Sequence, residues 1–469
     1  MTARRIGFIV GLAAFALTLL LPPPAGMPPQ SWNVAGLVVW MAAWWMTEAV
    51  PLTATALLPF LVLPFVGVMN ATATAATYYS PTLFLILGGA FIALAIERTN
   101  LHRRLALGIL NAIGKDGGPI QLLLAFMVAT ALLSTSISNT STALIMMPMA
   151  TAVLLAGQSA SDRKDGLSGA LPMGIAFAAS IGGLGTIIGS PTNAIAVGLL
   201  EEIIGVRISF VQWMIYGMPI VLLGVPLAAF IVAKVQRVGS DSFDVAAAHA
   251  AIATQREWST PEKRLVPLFA LAFLLWVTQP LLEPLLPAGA LTDGTIAVFV
   301  GLLLFVVPDG TGRPLLVWSE ADRAPWGVIM MFGGGLALAA GMTASGLAAW
   351  LGQSLLPLSA LPLWVVALAV VGLVVLITEF ASNVATASGV IPVVASLTAA
   401  LGADPLLLAL PAAMAASWGF MLPAGTGPNA IAWATGRIEL RRMVGAGFLL
   451  DIAGVFLLVG AIWAVAALI

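Results

Sequence analysis

The chain has 469 residues, of which 60% are hydrophobic and 8% charged, and its mean hydropathy is +1.06. This composition excludes an ordinary soluble protein and indicates a polytopic membrane protein. A net charge of −1 argues against nucleic-acid binding, two histidines argue against a histidine metal centre, and the lack of cysteine excludes disulfides and thiol chemistry.

Apolar segments of membrane-spanning length follow one another along the chain. The first follows Arg4 and Arg5, and we predict a retained helix because no small-residue cleavage pattern precedes Pro22. The predicted spans are about eleven in number: 6–21, 34–49, 52–69, 81–97, 170–188, 211–233, 265–282, 294–308, 326–343, 405–422 and 443–468.

Two further apolar regions, 119–157 and 360–400, are each interrupted by a polar motif. The first motif reads STSISNTSTALIMMP from Ser134, and the second reads TEFASNVATASGVIP from Thr378. Each half is only about 15 to 18 residues long, which is marginal for a hydrocarbon core about 30 Å thick. We therefore predict two re-entrant hairpins whose tips reach the middle of the membrane.

The basic residues predict the orientation, because cytoplasmic loops of membrane proteins are rich in Lys and Arg. With the N-terminus in the cytoplasm and the hairpins not crossing, all but one of the 19 Lys and Arg lie inside, the exception being Arg207. The sequence therefore predicts a multi-pass protein of the inner (cytoplasmic) membrane with its C-terminus outside.

Three landmarks occur twice in the same order. LFLILGGAFIALAIERTNL at 83 matches IMMFGGGLALAAGMTASGL at 329, SNT at 138 matches SNV at 382, and GSPTNAIA at 189 matches GTGPNAIA at 425. An odd number of predicted crossings separates the equivalent helices, so we expect inverted repeats, as in secondary transporters. The predicted divisions are a first helix and outer loop at 1–33, a first repeat at 34–237, a cytoplasmic connector at 238–264 and a second repeat at 265–469.

In each half a helix broken at Gly, Pro and Asn follows the hairpin tip, near 189–193 and near 425–429. Such breaks leave carbonyl oxygens at one half-helix end and N–H groups at the next, which suit a cation and an anion respectively. Four of the chain's eight asparagines occupy these motifs: Asn139, Asn193, Asn383 and Asn429. A single Ser or Thr could merely cap or join helices, but four paired motifs favour a binding function.

Charged side chains are scarce at the tips and breaks, which contain no Lys or Arg. An anionic substrate would need another source of positive charge, and oxygen-rich motifs can hold sodium, so we expect sodium coupling. The sequence leaves the roles of Glu48, Glu379 and Asp451 undecided. Each is either a functional carboxylate or an acceptor of hydrogen bonds from backbone N–H groups.

These motifs, with TEAVP at Thr47, ERTNLHRR at 97, STPEKR at 259 and FGGGLALA at 332, resemble the divalent anion/sodium symporter (DASS) family over nearly the full length. The resemblance implies a homodimer whose protomers have scaffold and mobile transport domains that work as an elevator. It also implies sodium-coupled uptake of C4 dicarboxylates such as succinate, fumarate or malate, with citrate or sulfate as substrates of some members. No cofactor other than coupling sodium is expected.

The resemblance assigns site residues motif by motif. It implies one sodium site from Ser134, Ser138, Asn139 and Gly189, and a second from Thr378, Ala381, Asn383 and Gly425. It implies a substrate pocket from Ser138, Asn139, Thr140, Ser190, Pro191, Ser382, Asn383, Val384, Thr426 and Gly427.

Two residues depart from the family pattern. Val384 replaces a hydroxyl, and Gly427 stands where proline is common. Loss of one hydrogen bond to a charged group is worth about 1.5 to 3 kcal/mol. The pocket could therefore favour another dianion, which leaves a sulfate or citrate transporter as an alternative. Two further alternatives are a sodium-independent dicarboxylate exchanger and, in another class, an ion transporter resembling sodium/proton antiporters. An intramembrane enzyme is not expected, since no paired carboxylates, Ser/His pair or metal ligands are evident at membrane depth.

Overall fold

The computed structural model describes residues 2–114, 118–157, 165–239, 244, 247 and 257–469, and within these it is helical. Among the described residues the only β-type pairing is an isolated bridge between Pro308 and Pro314. Most of the predicted connector at 238–264 lies outside the described residues. At the end of the connector a helix begins at Thr260. Ser259 and Glu262 form a capping box at the first turn of this helix.

The helices before the connector are α1 (Ala3–Leu20), α2 (Pro29–Thr47), α3 (Leu52–Thr55), α4 (Leu58–Phe65), α5 (Ala71–Ala76), α6 (Pro81–Thr99), α7 (Leu101–Gly114), α8 (Pro119–Ser134), α9 (Asn139–Gly157), α10 (Gly166–Gly183), α11 (Pro191–Ile204) and α12 (Phe210–Gln236). The helices after it are α13 (Thr260–Leu282), α14 (Asp293–Val306), α15 (Trp318–Ala321), α16 (Trp326–Ser345), α17 (Leu347–Leu355), α18 (Leu363–Phe380), α19 (Asn383–Leu401), α20 (Pro405–Ala415), α21 (Gly427–Ala434) and α22 (Leu440–Ala466).

The described residues contain 10 helical segments that are long and apolar enough to cross a membrane. They are Ala3–Leu20, Ala71–Thr99, Asn139–Gly157, Gly166–Gly183, Phe210–Gln236, Thr260–Leu285, Trp326–Ser345, Leu363–Phe380, Asn383–Leu401 and Leu440–Ala466. The prediction of an all-helical polytopic membrane protein is therefore confirmed. Helices suit this setting because they satisfy their backbone hydrogen bonds internally, without water.

The two predicted hairpins are pairs of helices joined by short turns. Residues 135–138 link α8 to α9, and residues 381–382 link α18 to α19. Three of these four helices are long and apolar enough to cross a membrane, and α8, at 16 residues, is the shorter one. Their re-entrant course remains a prediction.

Both predicted helix breaks are present, and the second is longer than expected. The first separates α10 from α11 and contains a short 3-10 turn, Ile187–Gly189. The second occupies 416–426, so the predicted span at 405–422 is wrong in its second half. In this half the N–H groups of Met421 and Leu422 donate to the Glu379 carboxylate, not to backbone carbonyls one helical turn earlier.

The helix before the first break lies at the centre of the bundle. Every residue of α10 is buried. It can pack closely on α8 because Gly182 has no side chain, and a Cβ atom there would lie 2.3 Å from the Ala131 carbonyl oxygen. Small residues at membrane helix contacts allow this close approach of backbones. The first hairpin and the first break are thereby held against each other.

Candidate functional site

Oxygen atoms converge where the tip of the first hairpin meets the first break. The Ser134 hydroxyl donates to the Ala179 carbonyl oxygen at 2.7 Å and lies 2.8 Å from the Asn139 side-chain amide. The amide atom of Asn139 that faces Ser134 is also 3.2 Å from the carbonyl oxygens of Gly189 and Ala179. An amide nitrogen at this position donates to these oxygens, whereas an amide oxygen needs a cation shared with them.

The second tip repeats this arrangement with different residues. The Thr378 hydroxyl donates to the Ala416 carbonyl oxygen at 2.7 Å and lies 3.0 Å from Oδ1 of Asn383. Thr378 occupies the place of Ser134, and Ala416 occupies the place of Ala179. In each half, a hydroxyl at the end of one hairpin arm joins an asparagine at the start of the other to a carbonyl beside the break.

The structure brings together most of the residues assigned to the first sodium site. Ser134, Asn139 and Gly189 contact one another as described. Ser138 differs, because its hydroxyl accepts from the Ser141 N–H at 3.2 Å and so caps the start of α9. In this position Ser138 also lines a cavity with Ser190.

The residues assigned to the second sodium site lie around the turn between α18 and α19. Ala381 is buried at the end of α18, next to the Thr378–Asn383 pair. An ideal Cβ on Gly425 would lie 3.4 Å from the Glu379 carbonyl oxygen, so Gly425 approaches the same turn. Ala381 and Gly425 thus lie at this turn, and the side-chain contacts of the site are made by Thr378 and Asn383.

Of the ten assigned substrate residues, three line one cavity and two others cap helices. Ser138, Ser190 and Pro191 line one cavity of about 290 Å³. The second-half residues Ser382 and Thr426 instead cap helices, accepting from the N–H groups of Ala385 and Asn429 at 3.2 Å. Both second-half residues lie outside the described lining of the cavity.

Thr140 and Gly427 come from opposite halves and meet directly. An ideal Cβ on Gly427 would lie 2.3 Å from the Thr140 hydroxyl oxygen, and both residues are exposed. Val384, the counterpart of Thr140, is half-buried and packs against apolar neighbours. The two departures noted in the sequence therefore have different settings: Gly427 makes room for a hydroxyl, and Val384 supplies none.

The other two motif asparagines hold the helix breaks in shape. The Asn193 amide donates to the carbonyl oxygens of Gly183 and Thr186 at 2.7 and 2.8 Å. The Asn429 amide donates to the Leu422 carbonyl oxygen at 3.1 Å. Within the described part of the chain, the side-chain oxygen of each asparagine is buried without a hydrogen-bond partner.

Glu379 was left open by the sequence, and the structure gives it a backbone partner. Its carboxylate accepts from the N–H groups of Met421 and Leu422 at 2.9 and 3.0 Å, and it is 1% exposed. It thus links the second tip to the second break through two hydrogen bonds. The signal for this residue was its position at the end of an apolar run, directly after Thr378.

The remaining carboxylates left open by the sequence differ in burial. Glu48 is exposed and pairs with Arg4 at 3.7 Å. Asp451 lies buried in α22, next to the Glu379 carboxylate and the backbone of Phe420. Glu48 is therefore a surface residue and belongs to neither a hairpin tip nor a helix break.

Comparison with known proteins adds a whole-chain likeness to this geometry. The sequence profile described as the sodium:sulfate symporter transmembrane region matches residues 2–469. A sodium-dependent dicarboxylate transporter, SdcS, from Staphylococcus saprophyticus is 38% identical over 97% of this chain and 90% of its own length. A protein of the same name from Staphylococcus aureus is 37% identical over 98% of this chain and 90% of its own length. These relatives are transporters, not enzymes.

Proposed function

The chain belongs to the sodium:sulfate symporter family, as its resemblance to the divalent anion/sodium symporters predicted, and we propose that it is a sodium-coupled symporter of a small divalent anion. The C4 dicarboxylates succinate, fumarate and malate are the first candidates. The names of the relatives, which call them sodium-dependent dicarboxylate transporters, support this choice.

The observation that carries the proposal is the pair of matching oxygen clusters at the hairpin tips. In each, a hydroxyl lies 2.7 Å from a backbone carbonyl oxygen and 2.8 or 3.0 Å from an asparagine amide, through Ser134 in one half and Thr378 in the other. Neutral oxygens of this kind are the ligands that hard cations prefer. One sodium ion at each tip is the occupant we propose.

Bound sodium would also compensate the negative charge of the substrate. Removing one anionic charge from water has an idealised cost on the order of 20 kcal/mol, and the tips and breaks contain no Lys or Arg. Bound sodium ions next to Asn139 and Asn383 would supply the missing positive charge. Substrate binding would then depend on sodium, which is the basis of coupling.

The dianion would bind between the two tips, near hydroxyls and half-helix N-termini. Ser138 and Ser190 already share a cavity, and Thr140 reaches the start of α21 at Gly427. The N–H groups in the first turn of a helix have no partner within that helix and favour anions. We assign one carboxylate to each half of the site.

The wider architecture follows the same proposal. Two inverted repeats are supported by the matching contacts of Ser134 with Thr378 and of Ala179 with Ala416. For the family-level features we propose an elevator motion of a transport domain against a scaffold, a homodimer, and a cytoplasmic N-terminus with the C-terminus outside. The basic ends of α6 and α7 support this orientation.

The experiment is uptake of labelled succinate, malate, citrate and sulfate into proteoliposomes, with sodium replaced by choline in a parallel set. We expect sodium-dependent uptake of at least one C4 dicarboxylate. Ser134→Ala and Thr378→Val should each raise the sodium concentration for half-maximal uptake, by about tenfold for one lost ligand. Ser354→Ala is the control, because that hydroxyl is exposed and donates only to the Trp350 carbonyl. Absence of all dianion transport, or transport indifferent to sodium, would refute the proposal.

A second candidate is transport of sulfate, and Val384 is the observation that favours it. The half-buried valine removes one hydroxyl from the second half of the site. A compact dianion can be held by fewer groups than two separate carboxylates. Sulfate that competes with succinate at equal or lower concentration in the same proteoliposomes would favour this candidate, and failure to compete would exclude it.

A further inference from the structure

The cavity at the first tip extends well beyond the proposed binding residues. It is lined by Ser138 and Ser190, and one wall is α6 from Leu85 to Glu97. An α-helix rises 1.5 Å per residue, so this wall is about 18 Å long. The cavity is therefore a passage along α6, longer than a small dianion requires.

One close contact gives the position of the binding residues along α6. An ideal Cβ on Gly89 would lie 2.9 Å from the Ile188 side chain, so the first break crosses α6 at Gly89. Glu97 lies eight residues further along the helix, about 12 Å closer to its basic end. Ser190 is 4% exposed, Ser138 and Glu97 are both half-buried, and Arg323 is exposed. The passage thus opens at the end that carries Glu97 and Arg323.

Arg323 stands out at this opening because its charge is not taken up by a carboxylate. Arg98, at the end of α6, pairs with Asp309 and Glu320, and Arg313 also pairs with Glu320. Arg323 donates from Nε to the Glu320 carbonyl oxygen at 3.4 Å, and no carboxylate of the described residues lies within 4 Å of its guanidinium. Its charge remains available to an anion in the passage.

We propose that Arg323 and Glu97 form a charged mouth that controls passage of the dianion between the binding site and the cytoplasm. The inference rests on the proposed function, since it requires a dianionic substrate. Arg323 attracts the dianion, and Glu97, on the other wall, repels it and limits how long it is retained. The basic residues around this end place the mouth on the cytoplasmic side. Arg323 is a positioning residue, because it acts before the substrate reaches the hydroxyls of the site.

A charge at a mouth has a recognisable kinetic effect. It changes the local substrate concentration on its own side of the membrane, and salt screens it over a Debye length of about 8 to 10 Å at ordinary ionic strength. A structural role would change transport from both sides and would persist in salt. These two properties separate the proposal from a folding effect.

The test uses everted and right-side-out membrane vesicles from cells that express Arg323→Gln, with the labelled dianion that the wild type transports. At low ionic strength we expect the KM at the cytoplasmic face to rise about threefold to tenfold, with the KM at the outer face and the maximal rate unchanged. The rise should shrink at high ionic strength. Glu97→Gln should lower the KM at the cytoplasmic face, and Arg323→Lys should resemble the wild type.

Lys263→Gln is the matched control, because Lys263 is an exposed cation of the same basic end that does not line the passage. Its kinetics should match those of the wild type. The inference is overturned if Arg323→Gln leaves the KM at the cytoplasmic face unchanged, alters both faces equally, or is insensitive to salt. Wild-type vesicles that transport no dianion from either face would instead overturn the proposed function.

Discussion

Gly427 is the position where the smallest substitution should have the largest effect on substrate binding. An ideal Cβ there would lie 2.3 Å from the Thr140 hydroxyl oxygen and 3.2 Å from its methyl carbon. Gly427 has no left-handed backbone, so alanine is conformationally allowed and only the contact is changed. In Gly427→Ala, the Thr140 hydroxyl must therefore move out of its place at the start of α21.

The size of the effect follows from the hydrogen bond that the Thr140 hydroxyl makes to the dianion in the proposed site. A hydrogen bond to a charged group is worth about 1.5 to 3 kcal/mol, and every 1.4 kcal/mol is a factor of ten in affinity. We therefore expect the KM for the dianion to rise about tenfold to 150-fold, with a smaller change in sodium dependence. Thr140→Ala should produce a rise of similar size, because it removes the same hydroxyl directly.

The assay is uptake into proteoliposomes by the two single variants and the double variant. If Gly427→Ala acts through Thr140, the double variant should be no worse than Thr140→Ala alone, because the two changes share one mechanism. Gly445→Ala is the control, since a Cβ there would meet no atom within 4 Å. An unchanged KM in Gly427→Ala, or effects that multiply in the double variant, would refute the reasoning.

Three other substitutions test the remaining parts of the site and its frame. Val384→Thr restores a hydroxyl and should raise the affinity for dicarboxylates relative to sulfate up to about tenfold, measured by competition; unchanged selectivity would show that this position does not contact the substrate. Glu379→Gln replaces one of the two oxygens that accept backbone N–H groups and should lower the free energy of unfolding by about 1.5 to 3 kcal/mol, measured as a lower Tm. Glu283→Gln is the control and should change the Tm little, because Glu283 belongs to an exposed ion pair. Equal Tm shifts in the two variants would contradict this. The Arg98 guanidinium holds the pKa of Asp309 well below its usual range, so this carboxylate stabilises the fold at neutral pH and loses its contribution only as pH falls below the ordinary Asp value of about 3.9. Asp309→Asn should therefore be less stable than the wild type at pH 7 and approach it in strong acid, and an undiminished difference in acid would contradict the assignment.

Much of the site was evident from the sequence because its polar residues interrupt long apolar runs. The hydroxyl and the asparagine of each tip lie five residues apart, at Ser134 and Asn139 and at Thr378 and Asn383, so one short motif contains both. The carbonyl oxygens that complete each cluster could not be predicted in this way. They belong to Ala179 and Ala416, 45 and 38 residues along the chain from the hydroxyls, and alanine has no side-chain chemistry to mark it.

The length of the second break was also beyond the sequence. Residues 416–422 are apolar enough to continue a helix, and hydropathy therefore predicted one. The N–H groups of Met421 and Leu422 instead donate to Glu379, which precedes them by about forty residues. A buried carboxylate offers these donors a stronger hydrogen bond than a neutral carbonyl does, which favours the non-helical backbone at these two residues.

The sequence by itself determined the class of protein, most of its helices and the motifs at which they are interrupted. This follows because a bilayer leaves an apolar segment few choices other than a helix, and because proline and glycine limit where that helix can continue. Only the tertiary structure decided which interruptions meet. It joined Thr140 to Gly427 across the two halves, and it placed Arg323 at the end of a passage from Ser190. Contacts of this kind depend on how helices distant in the chain pack together. Local sequence patterns do not predict that packing.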